Sequence, residues 1–278
     1  MLRSAIYLSL PVVLGAYLSN LFAARLSDVD PVQWATAPVL AGVVWLIYTL
    51  DRLLDNRRAA PLTARHRFHA RHADLLWGAV GGVGAVVAVL VFFLPAPVIR
   101  FGAGLGAVCV AYVLAVYRLP PHHPALTWKE PLVAVLFTAG VWGSVWVQRA
   151  DIGWPFVAQA LLFLGISAQN MLLFSVFEQN DTVGTVAPPV SLATVLGVAR
   201  AELVLRWLTV VLVVGALAVC FTADDSGGGA RFSQRGSLVL GIMSLVLYAM
   251  QRYPAYFQRN GRYRFFGDAI FWLPALVL

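Results

Sequence analysis

Nine apolar segments of about membrane-spanning length follow one another along this 278-residue chain. A transmembrane helix needs roughly 17–25 mostly apolar residues, and only helices or closed barrels satisfy the backbone in lipid. The sequence lacks the period-two alternation of a membrane barrel. We therefore predict one domain, residues 1–278, folded as an all-α, polytopic membrane helical bundle of about nine transmembrane helices. The predicted spans are 4–24, 33–54, 75–95, 97–117, 131–148, 154–177, 200–222, 236–252 and 263–278.

Composition excludes a soluble protein, because 60% of the residues are hydrophobic and only 12% are charged. The formal net charge is +7. In a membrane protein we interpret this charge as a signal of topology and of affinity for anionic lipid headgroups or an anionic substrate. We do not expect nucleic-acid binding.

Basic residues are distributed unevenly if the nine spans alternate in direction. Fourteen of the 20 lysines and arginines share a side with the loop after the second span, and five lie on the opposite side. Cytoplasmic loops carry the excess of basic residues, so we predict a multi-pass protein of the cell inner (cytoplasmic) membrane. Its N-terminus would be cytoplasmic and its C-terminus would lie on the other side. The five are Arg25, Arg100, Arg149, Arg231 and Arg235, and Arg206 lies within a span.

Two aspartates, Asp51 and Asp55, end the apolar run of the second span. Residues four apart share a helix face, so their oxygens can converge on one divalent cation at the membrane surface, where it would hold a diphosphate. The alternative is a solvated ion pair with neighbouring arginines. Asp51 follows an unbroken apolar run, however, where a carboxylate without a partner is costly.

A second polar stripe runs along the sixth span, where Asn170, Phe174, Glu178 and Asp181 recur at steps of four, four and three. This spacing places an amide, an aromatic ring and two carboxylates on one helix face. A purely structural role for the two carboxylates is the alternative. Asp268, near the start of the last span, is expected either to join this site or to pair with a nearby arginine.

The run Arg65-His66-Arg67-Phe68-His69-Ala70-Arg71-His72 has two interpretations. Histidines three apart can form a metal site, but a basic helix lying on anionic headgroups is the favoured interpretation.

Elsewhere, Glu202 and Arg206 are spaced as a structural ion pair. Small-residue repeats in the third and fourth spans are typical of helix packing, and they consist of Gly78, Gly82, Gly102 and Gly106.

These motifs together resemble those of the UbiA superfamily of intramembrane prenyltransferases. Asp51-Arg52-Leu53-Leu54-Asp55 matches the second half of the family pattern N-D-x-x-D-x-x-x-D, with Ile47-Tyr48 in place of the leading Asn-Asp. Ala60-Pro61-Leu62 stands where the family has Arg-Pro-Leu. Glu178-Gln179-Asn180-Asp181 is similar to the second family motif, D-x-x-x-D, but is one residue shorter. The segment from Tyr117 to Glu130 resembles the Tyr, Pro-Pro and Lys-Glu pattern of some quinone-pathway members.

The resemblance implies a nine-helix fold and Mg²⁺ as cofactor, with Asp51 and Asp55 holding one ion and Glu178 and Asp181 the other. These four carboxylates would be the catalytic residues. Other residues would clamp the diphosphate or line the site of the allylic cation. The substrate-binding set is Tyr48, Arg52, Arg57, Arg58, Tyr117, Arg118, Lys129, Asn170 and Phe174.

The function implied is Mg²⁺-dependent transfer of an isoprenoid chain from a prenyl diphosphate to a lipophilic acceptor within the membrane, such as an aromatic compound or a quinone precursor. Two alternatives stay open. One is a terpene cyclase of the same superfamily that needs no external acceptor. The other is a non-catalytic transporter or partner protein built on the same scaffold.

Overall fold

A computed structural model of the protein describes residues 2–29, 32–58, 64–120, 123–181, 190–222 and 228–278. The described residues are helical or form short connections, with no strand among them. The helices are α1 Leu2–Tyr7, α2 Leu10–Leu26, α3 Thr36–Arg58, α4 Ala64–Arg71, α5 Ala73–Val91, α6 Ala96–Arg118, α7 Lys129–Thr138, α8 Ser144–Trp146, α9 Trp154–Asp181, α10 Leu192–Leu196, α11 Val198–Thr222, α12 Gly228–Arg252, α13 Pro254–Gln258 and α14 Arg262–Ala269.

Within the described residues, six helices are long and apolar enough to cross a membrane. The expected all-α bundle with several spanning helices is therefore confirmed. These segments are Thr36–Leu54, Ala73–Val91, Ala96–Arg118, Trp154–Gln179, Val198–Thr222 and Arg231–Arg252.

The other three predicted spans are shorter or interrupted. The first is split into α1 and α2 at Ser9, whose φ of 57° is left-handed, with Pro11 following in the first turn of α2. The fifth comprises α7, a π-helical turn at Ala139–Gly143, and α8. The last begins as α14 and continues as the 3₁₀ helix Ile270–Leu276, which contains Pro274. Proline removes a backbone donor, so regular α-helix does not persist there.

Helix α9 lies at the centre of the bundle, packed against α7, α11, α12 and α14. Buried amides join it to its neighbours: Gln159 donates to Ser233 Oγ of α12 at 2.9 Å, and Gln169 donates to Thr209 Oγ1 of α11 at 2.8 Å. Ser244 of α12 donates back to Gln169 at 2.8 Å. Because lipid supplies no competing partners, such bonds hold transmembrane helices together.

Helices α5 and α6, in contrast, have only one buried residue each, Leu76 and Val98. Phe101 of α6 packs on Gly143 of the π-helical turn, and Val87 of α5 packs on Gly42 of α3. The small-residue repeats of α5 and α6 were expected to pack helices. No atom of another described helix lies within 4 Å of the Cβ position of any of their glycines, so these repeats do not pack against a described helix.

Candidate functional site

Asp51 lies near the end of α3 with its side chain 48% exposed. The Nε atom of the adjacent Arg52 is 3.9 Å from its Oδ2 atom, too long for a strong ion pair. The predictions for the side chains of Asp55, Arg57 and Arg58, and for Ala60-Pro61-Leu62, fall outside the described residues.

Carboxylates from three helices approach one end of the bundle. Tyr112 of α6 lies within electrostatic range of both Asp51 of α3 and Glu130 of α7. Glu130 in turn lies within electrostatic range of Glu178 of α9. Tyr112 and Glu130 thus connect the two predicted acidic helices through a chain of electrostatic interactions. Exposed residues from the predicted substrate-binding set flank the same end, and they are Tyr117, Arg118 and Lys129.

Glu130 is the residue at this site that the sequence analysis missed. Its Oε2 atom accepts from the backbone N–H of Leu192, the first residue of α10, at 2.8 Å. Ser175 of α9 also bonds to Glu130 and accepts from the N–H of Ala193 at 3.2 Å. Burial raises the pKa of the Glu130 carboxyl, and the charge of Glu178 raises it further. Glu130 therefore links α7, α9 and α10 while adding a carboxylate to the site.

Glu178 is half-exposed and pairs with Arg264 of α14, whose Nη2 atom lies 2.9 Å from Glu178 Oε1. Arg264 Nε also donates to the hydroxyl of Tyr263 at 3.2 Å. Tyr263 is buried, and its ring packs edge-on against Phe174 and Phe177 with centroids 5.5 and 5.2 Å away. The position of Arg264 was not foreseen, because periodicity within α9 does not indicate which helix faces it.

The rest of the predicted stripe on α9 is also covered by α14. A Cβ atom at Gly267 would lie 2.2 Å from Cε1 of Phe174 and 2.7 Å from Oδ1 of Asn170, so only glycine allows this approach. Asn170 is 1% exposed, and neither polar atom of its side chain has a hydrogen-bond partner in the described structure. The Asp181 side chain, predicted to complete the stripe, lies outside the described residues.

A cavity of about 430 Å³ lies between α3, α5, α6 and α7. This volume is within the range of about 300–1,000 Å³ found for small-molecule sites. Its walls are almost wholly apolar, and include Val44, Val87, Leu105 and Phe137. Tyr48 and Tyr112 line it too, and Tyr112 is the residue that lies near Asp51 and Glu130.

No group of three His, Cys, Asp or Glu side chains forms a metal cluster among the described residues. Mg²⁺ in proteins is commonly bound by one or two carboxylates, with substrate phosphates and water completing the octahedron. Asp51 and Glu178 supply oxygens of that kind, and both are partly exposed.

A scan against protein-family models, a search of curated proteins and a search of solved structures each found no match for this chain. What is established is the all-α architecture, the helices of membrane-spanning length that indicate a multi-pass membrane protein, and the geometry of the acidic end of the bundle.

Proposed function

We propose that the protein transfers an isoprenoid chain from a prenyl diphosphate to a lipophilic acceptor within the membrane, in a Mg²⁺-dependent reaction. One observation carries this proposal: an apolar cavity has Tyr112 in its wall, and Tyr112 also lies within electrostatic range of the carboxylates of Asp51 and Glu130. A prenyl diphosphate has the matching polarity, with a hydrocarbon tail on one side and a multiply charged head on the other.

The proposed role of each residue follows from its charge. Asp51 and Asp55 would hold one Mg²⁺ ion and Glu178 and Asp181 the other, and the two ions would neutralise the leaving diphosphate. Arg118 and Lys129, exposed at the same end, supply further positive charge for the phosphate oxygens. Tyr48 at the cavity wall offers an aromatic face to the allylic cation that ionisation produces.

The finer topology belongs to the same proposal. The first, fifth and last predicted spans are counted with the six long helices, giving nine crossings. Their alternation and the distribution of basic residues support a cytoplasmic N-terminus, a C-terminus on the other side, and location in the inner membrane. The acidic end of the bundle would then open to the cytoplasm.

A non-catalytic role is the second candidate, and one observation favours it. Arg264 already neutralises Glu178, and α14 covers Asn170 and Phe174. A site whose carboxylate is already paired and whose polar stripe is already covered is as compatible with a transporter or a partner subunit on the same scaffold as it is with an enzyme.

Ligand-induced thermal stabilisation separates these candidates, because a ligand that binds only the folded state must raise its stability. We expect geranylgeranyl diphosphate to raise the unfolding temperature of the purified protein only when Mg²⁺ is present. Asp51→Asn, which keeps the shape and removes the charge, should abolish this shift with little change in unfolding temperature without ligand.

The matched control is Glu202→Gln. Glu202 is a half-exposed carboxylate 3.6 Å from Arg206, as predicted for a structural pair, and it lies on α11 outside the candidate site. This variant should retain the full shift. A shift that is independent of Mg²⁺, or that survives in Asp51→Asn, would refute the proposed diphosphate site.

A further inference from the structure

Helix α4 lies between two candidate membrane spans, Thr36–Leu54 and Ala73–Val91. A segment that joins two spanning helices lies at a membrane surface, whichever side that is. It also packs against α1, α3 and α5. The helix is therefore held against the bundle at the level of the lipid headgroups.

The inward side of α4 is fixed by aromatic and histidine contacts. The Phe68 ring lies 5.4 Å from the ring of Tyr7 in α1 and 4.5 Å from that of His72, measured between centroids. His72 Nδ1 lies 2.9 Å from the Phe68 carbonyl oxygen, and His69 is 1% exposed. These contacts determine how α4 is rotated about its axis.

The outward side carries the charge. Arg67, Ala70 and Arg71 are exposed, and their spacing places them together on one side of the helix. Asp74, the exposed carboxylate at the start of α5, follows one turn later. The metal site considered for the histidines is not formed by the described residues. We refer to Arg67, Ala70 and Arg71 as the basic face.

We propose that the basic face binds the headgroups of anionic phospholipids. Guanidinium groups make bidentate hydrogen bonds to phosphate, and long arginine side chains reach from a helix to the headgroup level. Anionic leaflets attract basic segments that lie beside spanning helices. The occupant is a lipid and not a free anion, because a helix between two spans is surrounded by headgroups at high local concentration.

The test is a titration of the purified full-length chain, in a non-ionic detergent, with phosphatidylglycerol that carries a fluorescent acyl chain. Energy transfer from tryptophan to that acyl chain reports binding. Arg67→Gln/Arg71→Gln should weaken binding by roughly fivefold for each arginine at low salt. Phosphatidylcholine labelled in the same way should bind weakly and equally to both proteins. Arg67→Lys/Arg71→Lys should retain most of the affinity.

The matched control is Arg231→Gln/Arg235→Gln on α12, which also removes two exposed arginines four residues apart. This pair lies at the opposite end of the bundle, because the neighbouring Phe232 contacts Phe22 and Arg25 near the end of α2. It should leave phosphatidylglycerol binding unchanged, and all variants should unfold at similar temperatures because these arginines are exposed.

Three results would overturn the proposal. Unchanged binding in the α4 variant would show that the basic face makes no contribution. Equal losses in the α4 and α12 variants would show general attraction to a basic protein. Displacement of the lipid by inorganic phosphate, but not by chloride at equal ionic strength, would show that the face is a site for free phosphate. If Arg67→Gln/Arg71→Gln unfolds at a lower temperature than the unsubstituted protein, the affinity of Arg67→Lys/Arg71→Lys shows whether binding depends on the charge or on the stability of the fold.

Discussion

At the scale of single residues, Glu130 stabilises the fold through a hydrogen bond and also adds a carboxylate to the candidate site. It accepts the first N–H of α10, and it lies near Glu178 and Tyr112. The sequence does not reveal this role of Glu130, because its hydrogen-bond partner Leu192 is 62 residues away. Long-range hydrogen bonds of this kind leave no periodic signal in the sequence.

Glu130 should make folding stability depend on pH. Its pKa is higher in the folded protein than in the unfolded chain, so the folded state binds more protons between the two values. Stability from this group is therefore greatest at low pH and falls as pH rises through the folded pKa. Glu130→Gln should flatten that fall, and unfolding temperatures measured across pH 4–8 in detergent check it.

Glu130→Ala separates the hydrogen bond from the charge. Glutamine can still accept from the Leu192 N–H, whereas alanine leaves that donor unsatisfied at a cost of about 1–3 kcal/mol. We expect Glu130→Ala to be clearly less stable than Glu130→Gln at neutral pH. Equal stability of the two variants would mean that the bond to α10 contributes little.

At the scale of elements, apolar length located the helices well, but it did not show where they break. The predicted fourth span, 97–117, is α6, whereas the first contains an unforeseen break at Ser9. An unbroken apolar run has the same sequence pattern whether or not one of its residues adopts a left-handed backbone conformation. Periodicity likewise grouped Asn170, Phe174 and Glu178 correctly on one face of α9 but could not indicate that α14 covers it.

The contact between α14 and α9 gives a prediction about Gly267. Gly267→Ala would place a Cβ atom 2.2 Å from the Phe174 ring, so α14 must shift at a cost of about 1–3 kcal/mol. Gly78→Ala is the control, because that Cβ meets nothing within 4 Å and alanine favours helix by roughly 0.5–1 kcal/mol. In detergent, Gly267→Ala should therefore lower the unfolding temperature, and Gly78→Ala should raise it slightly. An unchanged unfolding temperature for Gly267→Ala would contradict the close approach.

At the scale of the whole molecule, composition excluded a soluble protein, since charged residues are too few for a soluble surface, and the length of the apolar segments predicted an all-α membrane bundle. The side of the membrane on which each end lies depends on basic residues in the connections. Those charges act during insertion and have no counterpart in the packing of the helices, so the fold supports several orientations equally well.

Cysteine accessibility tests the proposed orientation. In a chain whose Cys109 and Cys220 are replaced by serine, we expect Asp225→Cys to react with a membrane-impermeant thiol reagent in intact cells. Arg58→Cys should react only after the cells are permeabilised. The reverse pattern would place the acidic end of the bundle on the outer side and remove the cytoplasmic diphosphate pool as a source of substrate.

The exposure of α5 and α6 has a consequence for the cavity that they border. Only Leu76 of α5 and Val98 of α6 are buried, so most of the surface of both helices is not covered by the rest of the described bundle. In a bilayer, we expect acyl chains to lie against this uncovered surface and to support the outer wall of the cavity. The membrane is therefore a structural component of the cavity, and lipid packing helps to set its width.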